Sequence, residues 1–354
     1  MLEASMPELD AVISWVDGND PKHLRKRAQF SEDAAKAHSK GLLPTRFQQV
    51  GEIYFCIASI LKFCPDVRTI WLVTDDQTPE FLGDFVKEGL CPPGKIRIID
   101  HKDIFAGHEN CLPTFNSRSI EVMLHRIPGL AEKYIYLNDD FFLTREVTVE
   151  DFFKDGKPVI HADYVLQHRK SFKVRWRRFL RKITFRKQRE KTNTHICASI
   201  SAQLVGEKTH TVNPRHQPHP LRVSTQRNFY ERHPEILRAQ MKFRFRNHTQ
   251  FQVAALAYLL ELRADPALTI HNERVHYEVD CGCGEGADKI RANMEPAVKF
   301  LCVQSLDCAA EDDRAAVIDW LVERVGSHCP AAVLRQNGRA PDDIRTAALH
   351  RESA

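Results

Sequence analysis

The sequence predicts an α/β fold: a largely parallel sheet flanked by helices, followed by a helical C-terminal part. Three observations point there. Apolar runs of strand length alternate with segments of helical spacing, several of those runs end in acidic turns, and the chain of 354 residues, 43% hydrophobic, is long enough to bury a core.

Residues 9–16 (LDAVISWV) read as a buried strand running into the turn formers Asp17, Gly18, Asn19 and Asp20. Ile53, Ile57, Ile60 and Leu61 recur at helical spacing, and that segment stops near Cys64 and Pro65. A second strand, 69–73 (TIWLV), enters Thr74, Asp75 and Asp76. A short helix over 79–88, a strand over 96–99 and a helix over 117–125, started by Asn116 or Ser117, come next. Strand 134–137 then leads into Asn138, Asp139 and Asp140. In open α/β sheets, ligands bind beyond the carboxyl ends of the strands, so these polar turns predict a site along one sheet edge.

Beyond Asp140 the pattern changes. Between Arg169 and Lys191 stand twelve lysines and arginines and one acid, so this segment carries +11 and the remainder of the chain −7. Its aromatic and aliphatic residues (Phe172, Val174, Trp176, Phe179, Leu180, Ile183, Phe185) would line one face of a helix framed by cations, a pattern suited to an anionic membrane surface or polymer. The Pro/His stretch 213–220 predicts an irregular loop, followed by helices over 231–241, 249–262 and 314–325. The expected organisation is an α/β core over 1–165, a basic amphipathic insertion over 166–195, a mostly helical second part over 196–328 and a loosely held tail over 329–354. No apolar run, 57–61 included, approaches the length of a membrane span. The start, MLEASMPELDAV, lacks the basic and apolar runs of a secretory signal, which predicts a cytoplasmic protein, at most peripheral to the inner membrane, whose ten cysteines are thiols.

The Asp139-Asp140 pair suits a hard divalent cation, Mg²⁺ or Mn²⁺, which takes oxygen ligands and shares them with substrate phosphates; the plainer reading is a solvated turn. His216, among prolines 214, 218 and 220, is a candidate general base near neutral pH, against the reading of an idle surface loop. Arg46, Arg118 and Arg246 can each make forked contacts with phosphate or be ordinary surface residues. Cys281 and Cys283 lack the spacing of a zinc knuckle, and buried thiols are preferred to zinc there. P-loop, dinucleotide-fold and nucleophile-elbow signatures do not occur in the sequence.

Taken in order, AVISWVDGNDP (11–21), RFQQVGEIYFCIASILKFCPDVRTIWLVTDDQTP (46–79), LPTFNSRSIEVMLHRIPGLAEKYIYLNDDFFL (112–143) and HQPHP followed by FRFRNHTQF (216–251) resemble the Stealth family. These are sugar-phosphate transferases of bacterial capsules and of eukaryotic lysosomal targeting. The resemblance implies a GT-A-like nucleotide-sugar fold and transfer of a hexose-1-phosphate from a nucleotide diphosphate sugar, a UDP-sugar foremost, to a glycan acceptor hydroxyl. It implies that Trp15, Val16, Asp17, Gly18, Asn19 and Asp20, with Thr74 and Asp75, cradle the nucleotide diphosphate. It adds Arg46, Glu52, Asn116, Arg118 and Asn138 to the donor site, with Ser59 also at a family position. Asp139 and Asp140 match the metal-associated turn, His216 the catalytic histidine and Arg246 the phosphate-holding arginine. The chain departs at Tyr54 and Ala58, where the eukaryotic-type helix carries two arginines, which moves the expected phosphate contacts to Arg46 or Arg118.

Two other readings stand beside this one. A conventional glycosyltransferase on the same fold would release nucleoside diphosphate. A non-catalytic protein binding nucleic acid or membrane through 169–191 would leave the acidic turns unexplained, and no nucleic-acid partner is expected.

Overall fold

The computed structural model describes residues 8–30, 50–167 and 194–352; most of the basic insertion and Arg46 lie outside the described residues. Four parallel strands form the centre: β1 (Leu9–Ser14), β2 (Val67–Thr74), β3 (Ile96–Asp100) and β4 (Lys133–Asn138). β5 (Phe141–Leu143) leaves β4 through the Asp139-Asp140 turn. A hairpin of β6 (Phe153–Lys154) and β7 (Lys157–Pro158) precedes β8 (Ile160–Leu166), β9 (His210–Pro214), β10 (His219–Arg222) and β11 (Ile270–His271). β12 (His276–Asp280) and β13 (Phe300–Gln304) complete the strands.

The central sheet runs β10-β4-β1-β2-β3, with β10 antiparallel at one edge. Strands covered on both faces need apolar side chains on both, and β1 shows it. Leu9, Ala11 and Ile13 enter one core with helix Glu52–Phe63 and helix Glu311–Val325, while Val12 enters the other with Trp71, Tyr134, Tyr136 and helix Val253–Ala264. Ten of the twelve residues of helix Glu52–Phe63 are buried, because it lies between the sheet and helix Glu311–Val325. Truncating any of its large apolar residues to Ala would cost about 2–5 kcal/mol. Register does the positioning: Ser14 pairs with both Val73 and Asn138, and Thr74 with Asp100, so the acidic turns after β1, β2 and β4 emerge side by side.

Several expected elements change. His233-Pro234 divides the expected 231–241 helix into Val223–Arg232 and Pro234–Met241, since proline starts a helix readily but breaks its interior. The Pro/His stretch is only partly irregular: His219 and Pro220 belong to β10, an edge strand, where a missing N–H is tolerated. The part after residue 196 supplies β10 to the central sheet and also a second sheet, β12-β13-β5, whose last member comes from the N-terminal part. Finally, the tail is held rather than loose. Cys329, Val333 and Leu334 are buried, the Ala331 N–H donates to the Glu88 carboxylate, and Arg339 pairs with Asp319. Among the described residues, no helix is long and apolar enough to cross a membrane.

Candidate active site

Asp139 and Asp140 sit where β4 turns into β5. The turn is fixed from below by the Asp140 carbonyl accepting the Val303 N–H at 3.0 Å, and from the side by Cys302 Sγ, 3.7 Å from Asp140 Oδ2. Cys56 Sγ reaches the Asn138 carbonyl at 3.8 Å, and the Tyr136 hydroxyl donates to Asn138 Oδ1 at 3.0 Å. Glu52, at the start of its helix, accepts the Val50 N–H at 2.6 Å and faces the same turn.

These carboxylates disturb one another. Burial pushes Glu52 up to about 7, with Asp140 and Asp307 adding to the effect. Desolvation pushes Asp140 up to about 6, opposed by the charge of His216, and holds Asp139 well above the ordinary carboxylate range with help from Asp140 and Glu52. Asp140 Oδ1 is buried and has no hydrogen-bond partner among the described residues. Clustered acids with an unsatisfied oxygen are a fit for a cation, and an all-oxygen donor set favours Mg²⁺ or Mn²⁺. Among the described residues, no group of three or more His, Cys, Asp or Glu side chains is arranged to hold an ion. The aspartates can therefore supply only part of a coordination shell, which is how Mg²⁺ is commonly bound when substrate phosphates and water complete it.

His216 lies in the short connection from β9 to β10. Arg215 anchors that connection, with Nη2 2.9 Å from Asp163 Oδ1 and Nη1 donating to the Glu273 carbonyl. His216 Nδ1 is 2.8 Å from Glu278 Oε2 on β12. This bond, more than any other influence, raises the imidazole above its ordinary value; desolvation opposes it, and Asp140 adds to it while Arg246 works against it. Asp139-Asp140, His216 and Arg246 thus act on one another, although 107 positions separate Asp139 from Arg246 in the chain.

Arg246 Nη2 is 2.7 Å from Ser117 Oγ, and Arg118 shares its field with Arg246 around Glu121, whose carboxyl burial raises and the two guanidinium groups lower. Arg118 is 6% exposed, and its Nη1 is buried without a hydrogen-bond partner among the described residues, a free cationic donor. Asn116 has a different task. It is fully buried, and its amide donates to the Phe243 carbonyl and Gln250 Oε1, which ties the Arg118 helix to the segment carrying Arg246.

The turn after β1 is built around Gln77. Its amide donates to the Asp17 carbonyl and Asp20 Oδ2, and its oxygen accepts the Asp17 N–H; the Thr74 hydroxyl donates to the Gln77 carbonyl. Asp20 caps the helix Pro21–Ala28, and its hydrogen bond from Gln77 lowers its carboxyl. Lys26 pairs with Asp75 at 3.0 Å. Trp15 is buried and Val16 packs beside Phe115 and Phe245, whereas Asn19 is exposed and Gly18 buried within the turn.

Two family positions turn inward. Tyr54 and Ala58 are buried, with the Tyr54 hydroxyl accepting the Phe81 N–H at 3.2 Å, so this helix face serves the core. Ser59 is also buried, donating to the Cys56 carbonyl and accepting the Leu143 N–H at 3.1 Å. Cys281 is buried and Cys283 exposed, and both are free thiols. Sequence reasoning missed Gln77 and Glu278. Neither belongs to a motif, and for Glu278 the one available signal is an acid in the alternating strand HYEVD.

The N-terminal half of the chain is similar to known proteins. Residues 7–34 match the family model for Stealth protein CR1, conserved region 1, and residues 46–160 that for Stealth protein CR2, conserved region 2. Capsular polysaccharide phosphotransferase cps1A of Actinobacillus pleuropneumoniae is 41% identical over 147 residues, 41% of this chain and 38% of the relative. An exopolysaccharide phosphotransferase of Lactiplantibacillus plantarum, cps2G, is 40% identical over 152 residues, 43% of this chain and 41% of the relative. The chain thus matches about two fifths of the length of these relatives. Among solved structures, galactosyltransferase LgtC with donor and acceptor sugar analogs is 14% identical over 90% of this chain and 95% of its own, with a TM-score of 0.42. Mouse xyloside xylosyltransferase 1 is 12% identical over 83% and 97%, with a TM-score of 0.38. Within residues 7–160, then, the chain carries both of these conserved regions of Stealth proteins.

Proposed function

We propose that this protein transfers a hexose-1-phosphate from a nucleotide diphosphate sugar, a UDP-sugar foremost, to a glycan hydroxyl, forming a phosphodiester in capsule or surface polysaccharide. The observation that carries this reading is the meeting of an imidazole and an acidic turn at one sheet edge: His216 bonds Glu278 of β12, and Cys302, paired with Glu278 across β13, reaches Asp140. The relatives' names, capsular and exopolysaccharide phosphotransferases, support the same chemistry.

In this mechanism the acceptor hydroxyl gives its proton to His216 Nε2 while its oxygen attacks the phosphorus next to the sugar. The bond from that phosphorus to the bridging oxygen breaks, and nucleoside monophosphate leaves with the bonding pair. Arg118 and Arg246 hold the phosphoryl oxygens, the buried donor of Arg118 being suited to charge that builds up during the reaction. Asp139 and Asp140 would hold Mg²⁺ or Mn²⁺, which when bound neutralises charge on the phosphates. The turn over 15–20 and the Thr74-Asp75 end are acidic, so they suit the hydroxyls and base of the nucleoside better than its phosphates. The segment 169–191 would set the enzyme on an anionic membrane surface.

The test is a screen of nucleotide sugars with glycan acceptors and Mg²⁺ or Mn²⁺. Release of nucleoside monophosphate, with a phosphodiester signal in the product by phosphorus NMR, is expected. Release of nucleoside diphosphate would instead make the chain a conventional glycosyltransferase.

A further inference from the structure

We propose that Glu278 is the positioning residue for His216: its carboxylate accepts the Nδ1–H and so leaves Nε2 as the basic nitrogen. The inference rests on the transfer reading above for the direction of proton movement, but the pair itself rests on geometry. The 2.8 Å contact from His216 Nδ1 to Glu278 Oε2 joins residues 62 positions apart.

Glu278 is placed rigidly. It sits in the middle of β12, opposite Cys302 of β13, and Cys302 is itself opposite Phe141 of β5 and reaches Asp140 Oδ2. One small sheet therefore carries the orienting acid of the imidazole and braces the acidic turn, fixing their separation through regular strand pairing. The chain just before His216 is held in turn by the Arg215 anchor on Asp163 and the Glu273 carbonyl.

A stabilising role explains the contact poorly. The two side chains are 39% and 36% exposed, and ion pairs that open contribute little to folding free energy. An imidazole free to rotate, by contrast, would present either nitrogen, and fixing one tautomer with a carboxylate is the way a histidine is kept ready as a base. The resemblance of the sequence extends to His216 but names no partner for it, and the two matched conserved-region models end at residue 160, short of Glu278.

The test has two arms. In two-bond proton–nitrogen NMR of histidine-labelled full chain, with His216 assigned by its loss in His216→Gln, the neutral ring should carry its proton on Nδ1. Glu278→Ala should abolish that preference, and Glu278→Gln, which keeps an acceptor oxygen, should retain it. In turnover assays, Glu278→Ala should lower kcat about ten- to a hundredfold, the scale of loss when an imidazole's outer partner is removed, with KM for the donor near wild type. Glu278→Gln should recover part of that loss. A proton on Nε2 in the wild type, or a tautomer indifferent to Glu278→Ala, overturns the proposal. The expected tautomer in a protein that turns over no nucleotide sugar would sink the transferase reading while leaving the pair established.

Discussion

The proposed site has two walls that came from the sequence in different ways. One, Asp17, Asp20, Thr74, Asp75, Asn138, Asp139 and Asp140, consists of short turns at the ends of adjacent parallel strands, all inside the matched regions. The other, His216, Arg246 and Glu278, comes from a loop, a segment between helices and a strand of a second sheet, all beyond them. Strand register alone delivers the first wall. The second is assembled only by tertiary packing of three separate elements, so its residues are the better place to test the mechanism.

The sharpest test sets one wall against the other. His216→Ala should reduce nucleoside monophosphate release by about a thousandfold while donor affinity, measured by calorimetry, stays within about twofold of wild type. A comparable loss of donor affinity would mean that the two walls do not divide binding from proton transfer. Asp140→Asn should cost about a hundredfold in turnover and abolish the rise in melting temperature that Mg²⁺ is expected to give the wild type. Retained stabilisation would place the ion elsewhere.

How much of this was legible follows from the same contrast. Residues 9–16 and 134–137 are apolar runs ending in acids, and a run buried on both faces leaves little choice but a central parallel strand. The acidic edge was therefore readable from composition and order. Glu278 was not, because an acid in a short alternating strand resembles any solvated position until the neighbour 62 residues away is known. Asn116 failed in the other direction: as a buried tie to Phe243 and Gln250 it looks, in sequence, like any polar residue near a phosphate-binding helix. The tail misled for a third reason. Few of its residues are large, yet Val333 and Leu334 are buried in the core shared with helix Glu52–Phe63, and burial depends on where a residue docks as much as on its neighbours in sequence.

Smaller effects sharpen the contrast. Arg246→Lys keeps the charge but loses the planar fork, and should raise KM for the donor about tenfold. The acidic wall should also carry its own pH signature. Glu52 and Asp140 have folded values of about 7 and about 6, above those of an unfolded chain, so the folded state holds extra protons and their contribution is fully present only below about pH 4. Stability without divalent ions should therefore fall as pH rises from about 4 to 7. Glu52→Gln should flatten that slope, recovering about 2 kcal/mol at pH 7.5 by urea unfolding in EDTA. An unchanged slope would show that Glu52 is not raised by its burial beside the aspartates.

The smallest expected effect concerns the helix between the walls. At Tyr54 and Ala58, where related eukaryotic-type sequences are expected to place arginines, the chain presents buried side chains, and the Tyr54 ring packs against Phe81 at 5.7 Å between centroids. If phosphate contacts have moved to Arg118 and Arg246, Tyr54→Phe removes only a hydroxyl that accepts the Phe81 N–H. It should lower stability by about 1 kcal/mol and change kcat and donor KM less than twofold. A tenfold rise in KM would place the helix in the donor site after all, because a lone hydroxyl in the core has no other route to substrate affinity.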